Sequence, residues 1–224
     1  VEQLTTGATA TAIIGTDSSE RQITFFHPGA DADGSWPDIT DRREEISHAI
    51  ISPRNAVLMM EGVRWCNEYK VPYLFDPGQQ VIALSDDELR FGVEHSAGVI
   101  ANEYEWGLIS ERLNLTEENA LLKTPMVIVT QGDKGVLCYC ESGALNVGPC
   151  APEKVVNPTG AGDAFRAGLL TGLQNGWSNI DALRLGNAMG SLAVELEGTL
   201  IDHVDHDAIW QRAADAYGET LPNL

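Results

Sequence analysis

The amino-acid sequence predicts an α/β protein, a three-layer sandwich in which a parallel sheet is covered by helices on both faces. Short apolar runs of strand length alternate along the chain with longer runs whose apolar residues recur at helical spacing, and this alternation is typical of a parallel sheet. The 224 residues, of which 43% are hydrophobic, are enough for one domain with a sizeable core. No internal repeat or low-complexity tract interrupts the alternation.

The N-terminal stretch predicts a β-hairpin, because β-rich runs at 8–16 and 22–27 flank a short polar connection. A polar stretch rich in Gly and Pro follows at 31–38 and predicts an exposed loop. Residues 41–46 then predict a short helix, and 49–52 predict a buried strand.

Helix-start signals divide the middle of the chain. Asn55 is a suitable cap for a helix that runs to about Lys70, and Ser85 with Glu88 has the pattern of a capping box for a helix to His95. The strands predicted here are at 71–75, 97–101, 126–130 and 136–140. One further helix is predicted to start at 102–105, and another to span 116–123.

The C-terminal third is predicted to be mostly helical. Val155 and Val156 predict the end of a short strand, and Asn157-Pro158 ends it, because the residue before a proline avoids the helical region. Helices are predicted at 161–175, 179–197 and 206–217.

A glycine-rich turn at the start of the first of these helices predicts an anion site. Gly160 and Gly162 allow a tight turn, and the start of a helix offers unpaired N–H donors at the positive end of the helix dipole. Asp163 lies in the same first turn. One interpretation is that the dipole alone favours this carboxylate; the other is that Asp163 is a general base beside an anion hole, the arrangement that phosphoryl transfer requires.

Polar clusters are also predicted where the strands end, which is where ligands bind in such sheets. There are four of them: 76–78, 102–105, 130–135 and 157–163. Their convergence at one edge predicts a single site.

Composition excludes several other classes of protein. Asp and Glu outnumber Lys and Arg by 33 to 14, giving a net charge of −19, which argues against a nucleic-acid or anionic-membrane partner. No apolar run is long enough to span a membrane. The four cysteines have no C-x-x-C spacing, so we interpret them as reduced thiols of a cytoplasmic protein.

The stretch 157–165, Asn-Pro-Thr-Gly-Ala-Gly-Asp-Ala-Phe, closely resembles the second signature of the PfkB/ribokinase family of carbohydrate and nucleoside kinases. The usual pattern is D-T-x-G-A-G-D, and this chain departs from it at Asn157 and Pro158. Two competing motifs fail: there is no Gly-Lys-Ser or Gly-Lys-Thr for a P-loop, and Phe165 stands where a dinucleotide fingerprint needs glycine.

The resemblance implies an ATP- and Mg²⁺-dependent kinase that phosphorylates the hydroxymethyl group of a sugar or nucleoside. It implies a ribokinase-like fold, with Asp163 as general base and the N–H groups of Gly160, Ala161 and Gly162 around the transferred phosphoryl group. The cofactor-binding residues that it implies are Thr130, Gly132, Gly135 and Asn187. The metal-associated residues are Asn102 and Glu105, of the N-x-x-E motif for Mg²⁺ and phosphate, and Asn157, Thr159 and Gly198 for a monovalent cation such as K⁺.

The segments 27–30, 75–80 and 197–199 are most similar to an adenosine-kinase-like subgroup of bacteria and archaea. Family members carry a further segment before the point where this chain starts, so the resemblance predicts that residues 1–224 are one kinase domain, incomplete at its N-terminus. Residues 8–27 are then a remnant of the β lid, and the exposed sheet edge predicts a homodimer. The alternatives are a nucleotide-binding remnant with little or no turnover and a non-kinase Rossmann-like binding module.

Overall fold

Two sheets are present in the computed structural model, which describes residues 7–16 and 22–224. The smaller sheet is the antiparallel hairpin of β1 (Thr11–Thr16) and β2 (Gln22–His27). The strands of the larger sheet lie side by side in chain order: β3 (Ala49–Ile51), β4 (Tyr73–Phe75), β5 (Gly98–Asn102), β6 (Met126–Thr130), β7 (Val136–Cys140) and β8 (Gly143–Val147). The pairs from β3 to β6 are parallel, and those from β6 to β8 are antiparallel.

Helices connect and cover the strands. They are α1 (Ala56–Tyr69), α2 (Asp86–Glu94), α3 (Glu103–Leu113), α4 (Glu117–Ala120), α5 (Ala161–Gln174), α6 (Asn179–Ala193) and α7 (His206–Tyr217). Short 3-10 turns occupy Gly29–Asp33, Thr40–Glu45, Gly78–Ile82 and Gly132–Lys134. Among the described helices, none has the length and apolar character needed to cross a bilayer.

The alternation of side chains along each strand builds the three layers. Tyr73 and Phe75 of β4 pack into the core cluster that contains residues of α1, α2 and α3, whereas Leu74 packs on the other face with α5 and α6. Both faces of the central strands are therefore buried, which explains their continuous apolar sequence. The predicted three-layer α/β/α fold is confirmed.

The face covered by α5 and α6 depends on glycine at the crossing of these helices. A Cβ at Gly168 would lie 2.8 Å from the Leu185 carbonyl oxygen and 2.9 Å from the Gly186 Cα, so the backbones approach too closely for any side chain. The crossing also buries Phe165 and Leu169 against the sheet, which stabilises the fold by roughly 1.5–3 kcal/mol per side chain.

We predict opposite effects from the same substitution at two helical glycines. Gly168→Ala should lower the free energy of unfolding by about 1–3 kcal/mol, because the methyl group must push backbone atoms apart. Gly107→Ala, on α3 with nothing within 4 Å of the added methyl, should raise it by about 0.4–1 kcal/mol. Urea unfolding of both variants checks this, and equal effects would contradict the close packing of α5 on α6.

Some sequence-based predictions need correction. The strand predicted to end at Val155 and Val156 is wrong: neither residue belongs to a strand, and the N–H groups of Val156 and Asn157 both donate to the Val194 carbonyl at the end of α6. That carbonyl satisfies the backbone donors that a neighbouring strand would otherwise satisfy. The sheet is mixed rather than parallel, and β8 was not predicted. The helices predicted at 116–123 and 179–197 end earlier, at Ala120 and Ala193.

The β1–β2 hairpin carries several exposed large apolar side chains: Ile13, Ile14, Ile23, Phe25 and Phe26. Its connection to the main sheet is anchored at Asp31, whose carboxylate accepts from Arg54 Nη2 at 2.6 Å and from the Asn55 N–H at 3.3 Å. Within the described residues, β3 pairs only with β4, so its other edge is unpaired. The homodimer stays a prediction.

Candidate active site

The carboxyl ends of three parallel strands bring three predicted polar clusters to one edge of the sheet. Asp76 directly follows β4, Asn102 ends β5 and Thr130 ends β6. Asn102 and Thr130 are partners in the β5–β6 register, so they lie side by side. The fourth cluster, at the start of α5, joins this edge through Arg166, whose guanidinium binds Asp76.

The start of α5 requires glycine at its cap. Gly160 has φ +94°, in the left-handed region, and a Cβ there would lie 2.3 Å from the Thr199 carbonyl oxygen. The Ala161 N–H donates to the Pro158 carbonyl at 3.3 Å. Since the first N–H groups of a helix have no partner within it, those of Gly162 and Asp163 are the donors that the helix geometry leaves for an anion. Whether the predicted set of Gly160, Ala161 and Gly162 holds a phosphoryl group stays a prediction.

Asp163 is exposed in this first turn, so a substrate hydroxyl could reach its carboxylate. It lies near enough to Asp76 and Arg166 for its charge to act on both groups. An accessible carboxylate next to helix-terminal donors can accept a proton while those donors stabilise charge on a transferred group. The geometry therefore suits the general-base role predicted for Asp163.

Sequence reasoning missed the ion pair at the centre of the site. Arg166 Nε donates to Asp76 Oδ2 at 2.6 Å, and Nη2 donates to Oδ1 at 2.8 Å. Asp76 is only 2% exposed, and burial raises the pKa of its carboxyl although Arg166 opposes the shift. The available signal was a charged residue at the end of a buried strand and another one turn beyond Asp163.

Asn102 and Glu105 form a capping box at the start of α3. The Glu105 N–H donates to Asn102 Oδ1 at 2.8 Å, and the Asn102 N–H donates to Glu105 Oε2 at 2.9 Å. Burial raises the pKa of Glu105, and the charge of Asp76 adds to the shift, although the bond from Asn102 opposes it. These contacts give the pair a structural role, and they leave the predicted Mg²⁺ and phosphate role untested.

The turn after β6 presents one open glycine and one packed glycine. Gly132 has φ +59°, and no atom lies within 4 Å of the position that a Cβ would take there, so a ligand could approach its backbone closely. Gly135 has φ +96°, and its Cβ would meet the Val147 carbonyl oxygen at 2.2 Å, so it fixes the turn against β8. Thr130 contacts the Ala101 carbonyl through its hydroxyl at 3.5 Å.

Asn187 lies on α6 beside the residues that follow β8. Its amide donates to the Gly148 carbonyl at 2.9 Å and to the Tyr217 hydroxyl at 3.1 Å, and that hydroxyl donates to Gly148 at 3.0 Å. Since Gly135 packs against the neighbouring Val147, Asn187 is connected by direct contacts to the turn that was predicted to bind nucleotide.

The three residues assigned to a monovalent cation are held in different ways. Asn157 Oδ1 accepts from the Thr159 N–H at 3.0 Å, and its amide donates to the Glu197 carbonyl at 3.0 Å, next to exposed Gly198. Asn157 thus ties the loop before α5 to the segment after α6. The potassium site stays a prediction. Across residues 7–16 and 22–224, no group of three or more His, Cys, Asp or Glu is arranged to hold a metal ion.

Comparison with known proteins shows the family and the fold of the chain. Residues 1–205 match the family described as pfkB family carbohydrate kinase. A nucleoside kinase of Methanocaldococcus jannaschii is 30% identical over 205 residues, which are 91% of this chain and 67% of that enzyme. Two solved structures of Burkholderia thailandensis nucleoside kinase each cover 96% of this chain. The inosine complex has a TM-score of 0.87 and 30% sequence identity, and the match covers 70% of that chain. The ADP-inosine complex has a TM-score of 0.88 and 29% sequence identity, and the match covers 67% of that chain.

The family match extends over most of the chain, and the archaeal relative reaches 30% identity across two thirds of its own length. The chain therefore belongs to the pfkB family of carbohydrate kinases, and it is a sugar or nucleoside kinase.

Proposed function

We propose that this kinase transfers the terminal phosphoryl group of ATP to the hydroxymethyl group of a nucleoside, with Asp163 as the general base. The observation that carries the proposal is the meeting of the α5 start with the carboxyl ends of β4, β5 and β6, secured by the Arg166–Asp76 pair. The choice of nucleoside over free sugar is supported by the M. jannaschii enzyme and by the inosine bound to the B. thailandensis enzyme.

The phosphoryl group would lie against the N–H groups of Gly162 and Asp163, where the helix dipole favours the negative charge that develops during transfer. Asp163 would take the proton from the attacking hydroxyl, and the loop tied by Asn157 would hold the turn in place. The bound ADP in the second B. thailandensis structure supports a nucleotide ligand here. The adenine and ribose of ATP would extend past Thr130 and Gly132 towards Asn187.

The oxygen donors of Glu105 and Asn102 suit Mg²⁺, which proteins bind through one or two carboxylates together with substrate phosphates. When bound, the ion would neutralise charge on the phosphates. The carboxylate of Glu105 is close enough to Arg166 to act on it electrostatically, which puts Glu105 within the charged part of the site.

We further infer that residues 8–27 act as a lid over the acceptor. The hairpin is anchored through Asp31 to Arg54 and Asn55, directly after β3, so its base lies at the same edge of the sheet as the site. The exposed apolar side chains of β1 and β2 would cover the bound nucleoside. Residues 1–224 as one kinase domain and a cytoplasmic location both stay predictions.

A panel of nucleosides and free sugars tests the acceptor. The chain should convert at least one purine or pyrimidine nucleoside to its 5′-monophosphate in the presence of ATP and Mg²⁺, with kcat/KM well above that for ribose. Mass spectrometry of the product identifies the phosphorylated position. Phosphorylation of ribose alone would overturn the nucleoside assignment, and no transfer to any acceptor would overturn the proposed activity.

Two capping-box glutamates give a matched test of the metal role. We predict that Glu105→Gln lowers Mg²⁺-dependent activity by about 10–100-fold, whereas Glu88→Gln, in the Ser85 capping box of α2, leaves it unchanged. Glutamine can replace glutamate in a capping box, so both changes should cost only about 0.3–1 kcal/mol of stability. Activity measured over a Mg²⁺ titration, together with thermal melting, checks this. If both variants have the same activity, Glu105 only caps the helix and has no role at the metal.

A further inference from the structure

The Asp76–Arg166 pair joins two elements that are 90 residues apart in the sequence. Its two parallel hydrogen bonds, at 2.6 and 2.8 Å, form the bidentate fork that arginine makes with carboxylates. The Asp76 side chain is 2% exposed and that of Arg166 is 16% exposed. Because apolar residues usually serve stability at least as well as a buried ion pair, stability alone gives little reason for this pair.

The position of the guanidinium connects it to the predicted anion hole. Asp76 binds Nε and Nη2, and the remaining nitrogen, Nη1, lies on the side of Gly162. A Cβ built at Gly162 would stand only 2.8 Å from Nη1. The glycine therefore allows the cation to lie directly against the first turn of α5, where the free N–H donors are.

The surrounding carboxylates favour a fixed cation at this point. Asp76, Glu105 and Asp163 all act electrostatically on Arg166. A nucleotide phosphate that approached three carboxylates without a cation would be repelled, and the chain as a whole carries −19. Arg166 supplies such a cation, because it bonds to Asp76 and is close enough to Glu105 and Asp163 to interact with their charges.

We propose that Arg166, held by Asp76, is the positioning residue of the phosphoryl site: it fixes the Gly162–Asp163 turn and offsets the carboxylates that would repel the nucleotide. This inference rests on the proposed function. The guanidinium acts through the turn and through its charge, and Asp163 remains the group that takes the proton. A preorganised charge of this kind raises the rate because it needs no rearrangement when the phosphoryl group moves.

Removal of the whole pair separates this role from stability. The double variant Asp76→Leu with Arg166→Met removes both charges of the pair together, so its Tm should stay near that of the unaltered chain or rise. Its kcat should fall by about 10²–10³, and its affinity for ADP by about tenfold or more. Arg166→Lys, which keeps the charge but loses the fork, should retain more kcat than the double variant.

Arg212→Met is the matched control. Arg212 also makes a bidentate fork, with Glu195, through Nη1 at 2.8 Å and Nη2 at 2.9 Å, and its side chain is 19% exposed. This change should lower Tm while kcat and ADP affinity stay at their starting values, because neither Arg212 nor Glu195 is one of the residues of the proposed site.

The outcomes distinguish the two proposals. If the unaltered chain is active and the double variant has the same kcat and ADP affinity, the proposed role of Arg166 is overturned. The proposed function is then unaffected. If the unaltered chain binds ADP but transfers nothing, the proposed function fails, and the ADP affinities of the double variant and Arg166→Lys still decide whether the cation positions phosphate. If the double variant does not fold, Arg166→Lys decides, since starting values of kcat and ADP affinity in that variant contradict the proposal.

Discussion

Asp163→Asn should reduce kcat by about 10²–10⁴ while ADP affinity and Tm change little. Asparagine keeps the size of the side chain and its ability to accept a hydrogen bond, but it cannot take the proton of the attacking hydroxyl. The side chain is exposed, so the substitution leaves no buried cavity or unpaired group. Steady-state kinetics beside calorimetric ADP binding and thermal melting measure the three quantities together.

Asp181→Asn is the control for this substitution, because Asp181 occupies the same third position of α6 that Asp163 occupies in α5. Loss of a carboxylate near a helix N-terminus costs about 0.3–1 kcal/mol through the dipole. Asp181→Asn should lose only this stability and that of the local contacts of Asp181, and its kcat should be unaffected. Near-equal kcat values for both variants would reduce Asp163 to a residue that merely favours the helix.

Gly160→Ala should abolish most of the activity by displacing the anion-binding turn. The left-handed φ of +94° is strained for alanine, at roughly 1–2 kcal/mol. The methyl group would also stand 2.3 Å from the Thr199 carbonyl, so backbone on one side must move. Since a displacement of about 1 Å can cost 10²-fold in rate, we expect kcat to fall at least that far.

The other end of α5 offers the control. Gly176 has φ +70° and open space around it, so Gly176→Ala adds similar backbone strain without a clash. The Tm of Gly176→Ala should fall by about the amount that backbone strain alone causes in Gly160→Ala. Its kcat should equal that of the unaltered chain. A full kcat in Gly160→Ala would show that the turn tolerates the shift and is not the phosphate site.

Local signals explain why most of the fold was predictable. Asn55, Ser85 and Asn102 each cap a helix with the side-chain bond that their sequence context predicts. Phe75 and its neighbours alternate between two buried faces, so their apolar run predicted a covered strand correctly. In these cases, contacts within a few residues determine the conformation.

The errors come from contacts that are distant in the sequence. Val155 and Val156 have strand-forming side chains, but the Val194 carbonyl captures the N–H of Val156. The strand β8 is mostly exposed and begins at Gly143, so its sequence carries little apolar signal, and it forms because β7 supplies a partner. The Asp76–Arg166 pair likewise depends on the packing of α5 against the sheet, which no local pattern encodes.

The central claim is that the start of α5 binds the phosphoryl group that is transferred. The measurement that tests it most directly is a crystal structure of the chain with a non-hydrolysable ATP analogue and Mg²⁺. We predict terminal-phosphate oxygens within about 2.7–3.2 Å of the Gly162 and Asp163 amide nitrogens, with the ribose near Thr130 and Gly132. Phosphates bound at any other part of the chain would contradict the account.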